Sequence, residues 1–367
     1  MRSRGVLAGL LFAGLLACGC RTARVYLSDP TVYDRLPPDL EEPLRQARVF
    51  ADAGRFQSAH DILAPLAPLA PRNLRLATFL QDVELGVLEQ GGAVRGVRGD
   101  VRGAGEDRLF ASYLRRAEEV PTSGGFVLAA RLAPDAARAL ELLGRALELD
   151  RENPWAHYAR AWAHAREGRF GDARKALERA FAIDPGHLPS VRLDGALLAR
   201  AGDAKRAISA FESWMERSFD DPTVDPRQRA TVRLDLAILL VTGGEPADAL
   251  RLLDAVEPGA PERDAHVELV RAAAYQALGD PDEAQRAVRF AREASPDELF
   301  AQVDEALLAA ARGDPDAERE AWKEALAIAD RERARTAAGR PEPAAFRSIL
   351  VQLQAMTRLA RLGEPAP

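Results

Sequence analysis

Glycine recurs along this chain at a spacing that leaves few folds open. Gly54, Gly168, Gly202, Gly244, Gly279 and Gly313 mark the register, and from Gly168 onward the steps are almost equal except for a longer one between Gly202 and Gly244. Five residues after each of the first five stands an alanine, at Ala59, Ala173, Ala207, Ala249 and Ala284, whereas Glu318 holds that place in the last copy. A unit this short cannot bury its own apolar face, so copies must stack into one continuous array. The residues around each mark indicate helices. Glycine takes the left-handed conformation that ends one helix, and the residue after it can cap the next. Gly279-Asp280-Pro281 and Gly313-Asp314-Pro315 do both, with Asp as the N-cap and Pro at the first helical position, where its missing N–H costs nothing. Asp184-Pro185 and Ser295-Pro296 predict ends of second helices, because a residue before proline is pushed out of the helical region. The small alanines allow neighbouring helices to approach closely.

A helix-turn-helix that recurs every ~34 residues with these marks resembles the tetratricopeptide repeat. The best copy is 154 to 187, which carries Gly168, Phe170, Ala173, Leu177, Ala180 and Pro185. Further copies are expected at 40 to 73, 120 to 153, 188 to 229, 230 to 264, 265 to 298 and 299 to 332. Residues 74 to 119 read as degenerate, with helices near 74 to 89 and 107 to 119. Residues 333 to 367 read as a linker and a terminal helix near 343 to 362 that covers the last repeat, as open arrays require. The resemblance implies an all-α, right-handed superhelix of about seven repeats, and a concave face that binds protein or peptide partners.

The chain opens with Arg2 and Arg4, then an uncharged run over residues 5 to 17, a signal-peptide layout too short to span a bilayer. Leu15-Leu16-Ala17-Cys18 resembles the lipobox of bacterial lipoproteins, which implies removal of residues 1 to 17 and lipidation of Cys18. Cys20 is the alternative, with Ala17 rather than Leu three places before it. Residues 18 to 39, with Pro30, Pro37 and Pro38, read as a tether. The resemblance implies attachment at the outer membrane facing the periplasm, since neither Gly19 nor Arg21 is the aspartate associated with inner-membrane retention. Both cysteines of the chain lie here, so no disulfide staples the body.

Without Arg2 and Arg4 the chain has 48 basic against 56 acidic side chains. An acidic body argues against nucleic acid, which needs a phosphate-neutralising surface. No pair among His60, His157, His164, His187 and His266 has the i, i+4 spacing of a helical zinc site, and no nucleophile elbow or P-loop is present. No metal, cofactor or catalytic residue is therefore expected. The rival reading is an enzyme or ligand-binding protein built on 74 to 119, which would need a buried polar cluster there.

Two sets of residues are candidates for contact. Trp155, Tyr158, Trp162 and Arg166 form one stripe on a first helix, and one repeat further along the chain Arg192 takes the place of Tyr158 and Arg200 that of Arg166. Those residue types are enriched in binding hot spots. The second set is Arg95, Arg98 and Arg102, spread over the Gly-rich stretch 91 to 105, which reads as a mobile loop able to meet an anionic partner. The acidic stretch around Asp220, Asp221 and Asp225 reads as the longer turn of its repeat.

Overall fold

A computed structural model describes residues 33 to 98, 104 to 219, 221 to 254, 265 to 294, 298 to 337, 359, 362 and 363. The leader, Cys18, Cys20, Arg102 and nearly all of the expected terminal helix lie outside the described residues. Within them, helices follow one another as α1 (Pro38–Asp52), α2 (Phe56–Leu66), α3 (Leu74–Glu89), α4 (Ala104–Glu119), α5 (Ser123–Arg131), α6 (Ala136–Leu149), α7 (Pro154–Arg166) and α8 (Phe170–Ile183). The order continues with α9 (Leu188–Arg200), α10 (Ala204–Ser218), α11 (Pro226–Gly243), α12 (Pro246–Asp254), α13 (Ala265–Leu278), α14 (Pro281–Ala294), α15 (Glu298–Ala311) and α16 (Pro315–Ala337). Consecutive helices pair, and each pair stacks on the next, which is the expected all-helical repeat solenoid.

All six register glycines adopt positive φ, from 67° at Gly313 to 90° at Gly244. A Cβ at Gly202 would meet nothing within 4 Å, so backbone handedness alone demands glycine there. Gly195, inside α9, is small for another reason: a Cβ would sit 2.7 Å from the buried Phe211 ring of α10. Gly202→Ala is expected to cost about 1 kcal/mol from the left-handed penalty, with Gly202→Asn costing less. Gly195→Ala should cost about 2 kcal/mol, because overpacking outweighs the gain in helix propensity. Urea unfolding midpoints test the order.

The break in the alanine rule has a local cause. Glu318 is buried, and its carboxylate accepts a hydrogen bond from the indole N–H of the fully buried Trp322 at 3.3 Å. A larger side chain at that register place is matched by a hydrogen-bonded aromatic one turn on.

Two expectations are corrected. Residues 74 to 119 hold the two helices expected there, α3 and α4, as the loosest of the described pairs, but between them lies a short antiparallel hairpin of β1 (Ala93–Val94) and β2 (Val97–Arg98). Residues 91 to 98 are thus a folded hairpin rather than a mobile loop: Val94 and Val97 are buried, and Arg95 (φ 49°) and Gly96 (φ 75°) make its left-handed turn. The packed body also starts before residue 40. Tyr33 is buried and α1 begins at Pro38, so the stretch read as a tether ends inside the fold. At the other end, Leu359 packs into the core around Trp322 and Arg319 reaches the carbonyl of Leu362 at 3.4 Å.

Candidate functional site

The first helices of four successive pairs, α3, α5, α7 and α9, face one cavity of about 440 Å³. Asn153 starts α7 by accepting from the backbone N–H groups of Trp155 and Ala156 at 3.0 and 3.3 Å, with Pro154 in the first turn. That start fixes the rotation of α7, so Trp155, Tyr158, Trp162 and Arg166 all line the cavity. Arg192, from α9, lines it too. The repeat register therefore brings five of the six expected groove residues together.

Arg200 is the exception. Its guanidinium lies 4.1 Å from the centre of the Phe170 ring of α8, away from the cavity lining. The Phe170 face holds the guanidinium by a cation–π contact at the neighbouring pair, whereas Arg166, at the same offset from Tyr158, lines the cavity.

The opposite wall has no counterpart in the repeat pattern. Arg75, Phe79 and Asp82 of α3 and Arg131 of α5 line it, and Arg131 reaches Gln81 at 2.5 Å and Asp82 at 2.8 Å. Across the mouth lies the turn after α10, which makes the longer step between the register glycines Gly202 and Gly244. Asp221 of this turn ion-pairs with Arg75, Thr223 Oγ1 accepts from Arg75 at 3.3 Å, and the Thr223 carbonyl accepts from Arg48 of α1 at 2.9 Å. The longer turn is thus a bridge between the fifth helix pair and the first two. It converts an open concave face into a partly enclosed cavity.

Charges inside are mixed. Arg75, Arg131, Arg166 and Arg192 stand against Asp34, Asp82, Asp184, Asp221 and Asp225. Burial raises the Asp34 carboxyl to about 6, against the pull of Arg75 and the hydrogen bond from Trp155. Behind the wall, Asp235 is buried and pushed well above the usual carboxylate range by desolvation, with Arg192 opposing the shift. His187 is 1% exposed, sits 4.9 Å from the Trp155 ring and 2.8 Å from Ser190 Oγ through Nδ1, and burial lowers its imidazole to about 3.

The Gly/Arg-rich candidates separate. Arg95 contacts Glu84 at 2.5 Å and lies 4.8 Å from the Tyr113 ring centre, while Tyr113 donates to the other Glu84 oxygen at 2.6 Å. Arg95 is therefore engaged in holding the hairpin to α3 and α4. Arg98 stands in β2, paired with Ala93. A buried polar cluster does exist within 74 to 119, but both oxygens of its carboxylate are occupied and none of its members lines the cavity. Among the described residues no group of three His, Cys, Asp or Glu side chains is placed to hold a metal ion. His157 bonds the Arg151 carbonyl at 3.0 Å and His164 is buried. No described helix is long and apolar enough to cross a membrane.

A tetratricopeptide-repeat profile matches residues 130 to 201. No curated protein matches the chain. Among solved structures, the Cut9–Hcn1 hetero-tetramer of the APC/C is similar at 15% identity and a TM-score of 0.50, over 81% of this chain and 55% of that one; this likeness shows the fold alone. A structure from the functional characterization of Pseudomonas aeruginosa pilF aligns at 16% identity and a TM-score of 0.41, over 61% and 93% of the two chains. YrrB, described as a TPR protein with an unusual peptide-binding site, aligns at 19% and 0.42, over 52% and 95%.

Proposed function

We propose that this helical-repeat solenoid is a lipid-anchored scaffold of the bacterial envelope, facing the periplasm from the outer membrane, that holds a protein partner in its concave cavity. The observation that carries the reading is the convergence of Trp155, Tyr158, Trp162, Arg166 and Arg192 on one cavity. Large amphipathic rings beside guanidinium groups supply contact area and charge-assisted hydrogen bonds with little side-chain ordering left to do on binding. The basic, apolar leader and the sequence Leu15-Leu16-Ala17-Cys18 support the anchor. A tether to the membrane raises the local concentration of whatever the cavity holds, so the chain serves assembly of an envelope machine by position rather than by chemistry. Secretion, pilus, outer-membrane and polysaccharide-export assemblies all fit such a role.

The test combines labelling with capture. Palmitate should label the full-length protein through Cys18, and Cys18→Ala should release it from membranes; labelling that follows Cys20 instead moves the anchor by two residues. A partner crosslinked to the lipidated protein should be lost with Trp162→Ala and weakened with Arg192→Gln, by about 10-fold or more for a hot spot. The glutamine is chosen because Arg192 faces the buried Asp235, where a new carboxylate would unfold the site. Full capture by both variants, each helical by circular dichroism, would move the interface elsewhere.

A further inference from the structure

One part of the cavity wall is made by chain that belongs to no repeat. Residues 33 to 36 precede α1 and lie against α3, α6 and α7, and each of the first three is held by a side chain reading a different group. Tyr33 is 8% exposed, with its hydroxyl donating to the Asp150 carboxylate at the end of α6. The Asp34 carboxylate accepts from the Trp155 indole at 2.9 Å, and its carbonyl accepts from Arg75 at 3.3 Å. The Arg35 carbonyl accepts from Asn73 at 3.0 Å. Asp34 also lines the cavity, so this segment is contiguous with the open space.

These contacts have the form of peptide recognition: side chains of the groove helices bind main-chain carbonyls and a carboxylate, and a pocket takes an aromatic. The segment has no regular structure over residues 35 to 37 and could leave without disturbing any helix hydrogen bond. Leaving alone would trade these bonds for water and expose the buried Tyr33 ring together with the pocket that holds it, which is costly. Departure is therefore favourable only as an exchange, in which an incoming segment supplies the same groups.

Resting on the scaffold reading above, we infer that residues 33 to 36 are a resident peptide in a subsite whose exchange partner is a turn-forming segment, not an α-helix, carrying an aromatic residue followed by a carboxylate. The resident copy is covalently attached, so its effective concentration is in the millimolar range and only a better-matched or locally concentrated partner displaces it. Trp155 Nε1 and Arg75 set the acidic preference, Asp150 favours a phenol over a plain ring, and Asn73 reads the backbone irrespective of side chain.

The probe is a fluorescein-labelled peptide of residues 28 to 39, Ser-Asp-Pro-Thr-Val-Tyr-Asp-Arg-Leu-Pro-Pro-Asp. It is titrated into the full chain carrying Tyr33→Ala with Asp34→Ala, and anisotropy is followed. Saturable uptake at least 10-fold tighter than by the unaltered chain is expected, with loss of about 10-fold when Trp155→Phe is added and no uptake of a peptide whose Tyr and Asp are alanine. A helical double variant without uptake, or uptake indifferent to Trp155→Phe, overturns the inference. If the double variant does not fold, Asp34→Asn in the full chain weakens the resident copy while keeping its shape; uptake no greater than by the unaltered chain then overturns it equally. The capture assay with Trp162 and Arg192 does not use these contacts, so failure of peptide uptake with capture intact counts against this subsite alone. Uptake with capture lost in the unaltered chain counts against the scaffold reading.

Discussion

Asp221→Ala is expected to lower the stability of the protein by about 3 kcal/mol and to loosen its first five helix pairs. Removing one member of a buried ion pair leaves the other charge uncompensated, a loss of about 3–5 kcal/mol, and the low end applies because the Arg75 side chain keeps 24% of its exposure while Asp221 keeps 4%. Asp221 also accepts from the backbone N–H and the hydroxyl of Thr223 at 2.9 and 2.7 Å, so the alanine variant loses the turn as well as the charge. Asp221→Asn separates the two effects. It retains an acceptor for Thr223 and removes only the charge, and should cost roughly half as much. Urea midpoints give the energies, and small-angle scattering gives the shape: the radius of gyration should rise for the alanine variant and stay unchanged for the asparagine. An unchanged radius in a destabilised alanine variant would mean that Arg48 holds the bridge without Asp221.

The second large effect is a pH dependence in which two groups oppose each other. The folded His187 imidazole protonates only at about 3, whereas an unfolded one does so near 6.5, so its contribution is present above pH 6.5 and is lost as pH falls toward 3. The folded Asp34 carboxyl titrates at about 6 against 3.8 unfolded, so its contribution is present below 3.8 and is lost as pH rises through 6. Between pH 6 and 4 the slopes have opposite sign, each up to about 1.4 kcal/mol per pH unit. Asp235 and Asp194, both raised by burial, and His157 and His164, both lowered by it, add slopes of their own that the two proteins share, so the difference between the profiles is what Asp34 sets. Asp34→Asn removes its slope, and relative to the unaltered protein its stability should fall by about 2 kcal/mol between pH 7 and 4.5. Urea midpoints across that range check the difference, and parallel profiles for the two proteins would show that Asp34 titrates as an ordinary exposed acid.

The helical pairs and their register are legible in the sequence because one residue type at one spacing carries a backbone requirement. Every register glycine has positive φ, and helix α3 spans the residues expected for it, Leu74–Glu89. The stripe on α7 is legible for a similar reason, since residues three and four apart must share a face. The hairpin escapes such a reading because its many glycines suggest loose chain, although Val94 and Val97 around Arg95-Gly96 carry the alternation of a tight turn. The bridge and the resident segment leave no periodic trace. Arg48 meets Thr223 across 175 residues, and Tyr33 meets Asp150 across 117. Such contacts depend on how far the superhelix has curled, a sum of small rotations between pairs that no single position encodes.

The bridge also divides the molecule mechanically. In an open array each pair touches only its neighbours, so a pull on the ends is taken up by small openings at every junction. Here Arg48 and Arg75 are fastened to the turn after α10, which places the first five pairs in parallel with a second, shorter load path. Elastic extension then belongs to the three pairs from α11 to α16. A load applied to the two ends would meet a stiff hook at one end of the protein and a spring at the other.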